Sequence, residues 1–246
     1  MKSRLSLVLL LLGLVAIAVP QVPVGLPDVR IGMQPGSNPG EVSQSLQILA
    51  MLTVLSLAPA ILILTTSFTR IVIILSLTRT ALGAPNIPPN QVLIGLSLFM
   101  TMFVMAPTYD KIHASSLKPF FEKKITMEQA IDRAQTPMRE FMLKNTYSKD
   151  LKLFLNLRGE EASAKDVSLV TLIPAFIISE LKTGFIVGFY IFVPFVIIDL
   201  IVASILMSLG MMMMPPAVVA LPAKILVFVL ADGWSMVVSA IMAGYA

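Results

Sequence analysis

The stretch LGMMMMPP, residues 209–216, separates the apolar residues 169–209 from the apolar residues 217–246, and its reading decides the fold. Gly210 can take the left-handed conformation that ends a helix. Pro215 and Pro216 can begin the next one, where a missing N–H costs nothing. The spacing therefore predicts a helical hairpin with Met211, Met212, Met213 and Met214 at its tip. The same frame, Leu-Gly-x4-Pro-Pro, recurs as LGAPNIPP at residues 82–89, between the apolar residues 46–77 and 92–106. Gly83, Pro88 and Pro89 stand there where Gly210, Pro215 and Pro216 stand in the second copy. Two helical hairpins built alike follow, as a parallel repeat; chance likeness of two turn-rich connectors is the plain alternative.

Composition fits that reading. Of 246 residues, 57% are apolar and 13% charged, and the mean hydropathy is +0.88. So few charges cannot coat a chain of this size, so most of its outside is hidden in lipid, in partner subunits or in both. The chain has no cysteine and one histidine, His113, which excludes disulfides, thiolate zinc sites, iron–sulfur clusters and cysteine nucleophiles. Residues 108–170 hold 11 of the 18 basic and 9 of the 14 acidic side chains. That segment faces water, and its nearly balanced signs lack the basic stripe of a nucleic-acid surface.

Residues 1–18 read as a cleavable signal peptide: Lys2 and Arg4, an apolar run, then Ala16-Ile17-Ala18. Residues 19–45, rich in Pro, Gly, Ser and Asn, are expected as a flexible external lead-in. The first hairpin is placed at 46–107, a polar periplasmic helical segment at 108–168, and the second hairpin at 169–246. With the N-terminus external, both tips point to the cytoplasmic side. Pro59 and residues 65–70 interrupt the first apolar stretch; Pro174, the run Ser179 to Gly184, and Pro194 interrupt the third, so broken or kinked helices are expected there. In the polar segment Thr126 is expected to N-cap a helix to Asn145 that contains Pro137, followed by a helix over residues 149–157. Ile125, Ala130, Ile131, Ala134, Met138, Phe141 and Met142 give the first of these an apolar stripe that must pack against something.

Arg70, Glu180, Lys182, Asp199, Lys224 and Asp232 lie inside or beside apolar stretches and need partners or water there. Counted from a tip near Met213, Asp199 and Lys224 come nearly level, which suggests an ion pair across the second hairpin. Glu180 and Lys182, two residues apart, cannot share a helix face, so at least one is expected to look to a neighbouring chain; snorkelling to an interface is the other reading of Lys182 and Lys224. Asp199 and Asp232 could also imitate the carboxylate pair of an intramembrane aspartyl protease. Four consecutive methionines cannot share one helix face. Three readings fit them: a soft apolar ring closing a pore, a tip buried in lipid or packing, and a thioether site for copper(I).

The runs TSFTRIVIILSLTRTALGAPNIPPNQVLIGLSLF (66–99), SELKTGF (179–185), FVPFVIIDL (192–200) and SLGMMMMPPAVVALPAKILVFVLADGW (208–234), with KITMEQAID (124–132) and PMREFMLKNT (137–146), resemble the FliP family of type III export-gate proteins. The resemblance implies an all-α, multi-pass membrane protein without catalytic residues, cofactor or metal. It implies a homopentamer joined by FliQ and FliR and by other export-apparatus membrane proteins, in the inner membrane and flagellar basal body, largely on the periplasmic side. Unfolded flagellar subunits would pass through it, and Met211, Met212 and Met213 would form the family's methionine gasket, with Met214 at a more variable position. A small-solute channel or transporter is the rival reading, and the aspartyl protease a remoter one.

Overall fold

The computed structural model describes residues 39–84, 86–159, 167–211 and 213–245, and every described element is helical. The signal peptide and the lead-in up to residue 38 lie outside the described residues. Two compact units are distinguished, Met1–Leu55 and Ser56–Ala246. Of the first unit the structure describes the opening part of α1 (Pro39–Thr65). Residues 39–45, expected as lead-in, are thus already helical.

In the second unit, α2 (Phe68–Ala81) turns through the first tip into α3 (Asn90–Ile112), which continues through a π-helical turn, His113–Leu117, into α4 (Lys118–Phe121). The helix therefore runs 14 residues past the expected boundary at 107. Pro107 sits inside it, Pro119 falls in the first turn of α4 where its missing N–H is tolerated, and no glycine follows before Phe121. Next come α5 (Met127–Lys144) and α6 (Ser148–Arg158). Thr126 accepts from the Gln129 N–H while the Gln129 side chain accepts from the Thr126 N–H, a reciprocal capping box that fixes where α5 starts.

The 40-residue α7 (Leu169–Ser208) leads to the second tip, and α8 (Pro216–Leu230) and α9 (Gly233–Ala243) return from it with a 66° bend between them. At ~1.5 Å per residue α7 is about twice the length needed to cross a bilayer. Sequence reasoning expected a break over Ser179–Gly184, yet α7 passes through unbroken. Its hydroxyls bond back into the helix, Ser179 Oγ to Ala175 O and Thr183 Oγ1 to Ser179 O, each at 2.9 Å. The polar run is a contact face rather than a hinge. In the first apolar stretch the break falls at Thr66 and Ser67, between α1 and α2, while Pro59 stays within α1.

Two apolar cores result. One gathers Ile71, Ile74, Leu75, Leu93, Met100, Phe195, Phe228 and Ile241 from α2, α3, α7, α8 and α9. Ile71, Ile74, Leu75 and Thr78 supply one helical face of α2. The other core joins α5 and α6 to the start of α7 through Met142, Leu151, Leu172, Ala175 and Phe176. Close approach of α2 to α7 depends on Gly184 and Gly188, one turn apart. A Cβ on Gly188 would stand 2.3 Å from Leu77 Cδ1, and one on Gly184 3.2 Å from Ile73 Cγ2. Among the described residues two helices are long and apolar enough to cross a membrane, or up to four spans if each bent pair counts as one.

Candidate functional site

Both tips reverse through a left-handed glycine, with φ +74° at Gly83 and +72° at Gly210. At the second tip the Gly210 N–H donates to Met207 O at 3.1 Å and the Met211 N–H to Leu206 O at 2.9 Å. These two bonds close the helix C-terminus. Pro215 then precedes α8, with Pro216 in its first turn. At the first tip the Gly83 N–H donates to Thr80 O at 3.0 Å, and the Pro89 carbonyl accepts from Val92 and Leu93 to open α3. Pro88 lends its carbonyl, 3.3 Å from Arg79 Nη1.

The surroundings of the tips differ. Lys224 reaches from α8 to donate to Ala81 O at 3.2 Å and to Asp199 Oδ2 at 2.6 Å. Its ammonium thus meets both a carboxylate and the negative end of α2. Arg79 Nη1 donates to Asn90 Oδ1 at 2.6 Å across the same tip. A Cβ on Gly83 would lie 3.8 Å from both Leu221 and Lys224; one on Gly210 would meet nothing within 4 Å. Met211 is 40% exposed, Met214 42% and Met213 99%; Met212 lies outside the described residues. Asp199 Oδ1 is buried without a partner among the described residues.

Arg70, Glu180 and Lys182 are taken up within the chain, away from both tips. Arg70 is buried and Glu180 is 0% exposed. Arg70 Nε donates to Glu180 Oε2 at 3.0 Å, Nη2 pairs with Oε1, and Nη1 donates to Gly244 O at 2.9 Å. Tyr245 completes the cluster: its hydroxyl donates to Glu180 Oε2 at 2.6 Å, and its ring lies 4.0 Å beneath the Arg70 guanidinium and stacks on Phe141. Burial, and then the charge on Glu180, push the Tyr245 phenol above its usual range, so it stays a donor.

Lys182 finds a partner within the chain, where the two-residue spacing had suggested a neighbouring chain for at least one of Glu180 and Lys182. It donates to Asp150 at 2.6 and 2.9 Å, and Ser179 Oγ lies 2.9 Å from the same carboxylate. The hydrogen bond from Lys182 holds the Asp150 carboxyl below its ordinary range. Asp232 is exposed at the bend before α9, with φ +49° and no side-chain cap. Asp199 takes Lys224 as its partner rather than Asp232. Among the described residues no three His, Cys, Asp or Glu side chains gather as a metal set.

Sequence reasoning missed Asp150, Ser179 and Tyr245, whose side chains bond to partners elsewhere in the chain, from 29 to 178 residues away. It also passed over GFIVG at 184–188, whose two glycines four apart signal close helix packing.

The FliP family model matches residues 51–241. The chain is 53% identical over 211 residues to the flagellar biosynthetic protein FliP of Bacillus subtilis (strain 168), covering 85% of this chain and 96% of that protein. It is 48% identical over 239 residues to the protein of that name in Pectobacterium carotovorum subsp. carotovorum (94% and 90%), and 41% identical over 249 aligned positions to that of Aquifex aeolicus (strain VF5) (100% of each).

Proposed function

Because the chain belongs to the FliP family, we propose that it is a non-enzymatic, pore-forming subunit of a flagellar protein export gate. Several copies surround an axis, as a homopentamer joined by FliQ and FliR. The methionine tips of residues 211–214 converge on that axis and close it. The closed ring excludes hydrated ions because no polar group replaces their water, and the flexible thioethers yield to an unfolded polypeptide. On this reading residues 1–18 are a signal peptide, residues 108–168 lie on the periplasmic side, and the assembly belongs to the inner membrane and basal body.

One observation carries the proposal: a tip whose backbone is closed by its own glycine motif holds Met213 99% exposed and makes no bracing contact at Gly210. An apolar side chain held so far from its own chain is placed for a partner. Replacing Met211, Met212 and Met213 together by alanine tests this. Assembly should persist while the membrane leaks small ions, because the shortened side chains no longer meet; unchanged conductance would contradict the reading.

A further inference from the structure

Phe99, Phe103, Pro107 and Lys111 follow one another every fourth residue along α3 and so lie on one side of it. Phe99 is 74% and Phe103 72% exposed. The stripe runs into a cavity of about 280 Å³ whose walls include Pro107, Lys111, Glu140 and Lys144, with Tyr245 beside them. Lys111 Nζ donates to Glu140 at 2.9 Å and Lys144 Nζ to Tyr245 O at 3.3 Å. Each ammonium has three donors, so both keep some to offer. Among the described lining side chains two ammoniums stand against one carboxylate, and Lys144 is the one bonded to no carboxylate. At this level α3 changes from Val104-Met105-Ala106-Pro107 to Thr108-Tyr109-Asp110-Lys111, the change a helix shows where hydrocarbon gives way to headgroups.

We infer that this cavity and stripe bind an anionic phospholipid. The phosphodiester sits between Lys111 and Lys144, and an acyl chain lies along Pro107, Phe103 and Phe99. The excess of lining ammoniums over carboxylates, with Lys144 bonded only to a carbonyl, favours anionic phosphatidylglycerol over zwitterionic phosphatidylethanolamine. The stripe gives the acyl chain an apolar track that leads directly into the charged end, an arrangement a free anion would not need. The bound lipid would rest against Tyr245, and so against the cluster that ties the end of α9 to Arg70 and Glu180.

The test uses the full-length chain extracted in mild detergent, mixed with both lipids and read by native mass spectrometry. Phosphatidylglycerol should dominate the retained lipid. Lys111→Gln with Lys144→Gln should weaken its retention by about 30-fold. Lys111→Arg with Lys144→Arg should keep it, and Glu140→Gln should raise it. Equal retention of the two lipids, or an unchanged double glutamine variant, would overturn the inference. So would displacement of the lipid by millimolar inorganic phosphate, which would mark a free-anion site. It also fails if Phe103→Ser separates copies of this chain while lipid retention stays constant, because the stripe would then be a contact between chains.

Discussion

The two hairpin tips share a frame and a backbone device but not a neighbourhood. At Leu82–Pro89 a left-handed glycine ends α2, and the turn is then braced: Lys224 holds the Ala81 carbonyl, and Arg79 bridges to Asn90. At Leu209–Pro216 an equivalent glycine ends α7 through its own hydrogen bonds, and no atom lies near enough to touch a Cβ placed on it. The backbone solution was needed twice, whereas the bracing side chains were supplied once. What distinguishes the second tip is therefore its uncovered methionines, which is where a function acting on something outside the chain should be sought.

The comparison breaks most severely at the brace. Lys224→Ala leaves Asp199 without its cation and the end of α2 without its donor, and should destabilise the detergent-extracted chain by about 3 kcal/mol. Thermal unfolding would read this, and Lys224→Leu combined with Asp199→Leu should recover much of the loss. The shared backbone device is tested next. Gly83→Ala and Gly210→Ala each force an L-residue to positive φ and should cost about 1–2 kcal/mol. Near-equal losses at the two tips are expected because the added methyl makes only ordinary contact at Gly83 and none at Gly210. A much larger loss at one tip would show that the two turns are not equivalent.

A contact remote from both tips supplies the pH reference. The Asp150 carboxyl is held below its ordinary range by Lys182, so its stabilisation is complete above the unfolded value. That stabilisation is lost as pH falls from about 4 through the lower folded value. Hydrogen exchange in α6, corrected for intrinsic rate, should rise in that interval, and Lys182→Met should flatten the response. The smallest effect on stability belongs to Met213→Ser. With the side chain 99% exposed in the chain, unfolding should shift by less than ~0.5 kcal/mol, while the ion permeability of the assembly should increase.

What the sequence makes legible depends on how local the cause is. Glycine and proline act through their own φ angles, so the repeated frame at Gly83 and Gly210 can be read without any knowledge of tertiary contacts. Thr126 with Gln129 is equally local, and the near-level placement of Asp199 and Lys224 follows from counting along two antiparallel helices. Arg70 and Glu180 are 110 residues apart, and Lys182 and Asp150 are 32 apart. No periodicity links such pairs, which is why Lys182 was expected to face another chain. The run Ser179 to Gly184 misled for a related reason: polar residues in an apolar helix signal either a break or a buried contact, and only the packing of α2 and α6 against α7 decides between them. Gly184 and Gly188 carried a readable sign of that packing, whereas the seating of Tyr245 over Arg70 carried none.

The chain contains no cysteine, so a single cysteine placed at each tip reports its own neighbours cleanly. Met213→Cys and Ile87→Cys both occupy exposed positions, 99% and 71% in the wild-type chain. Mild oxidation of the intact membrane assembly should give disulfide-linked dimers of this chain for Met213→Cys, whose Cα atoms would approach within about 7 Å around the axis, and none for Ile87→Cys. Dimers from Ile87→Cys with none from Met213→Cys would place the convergence at the braced tip and contradict the methionine seal.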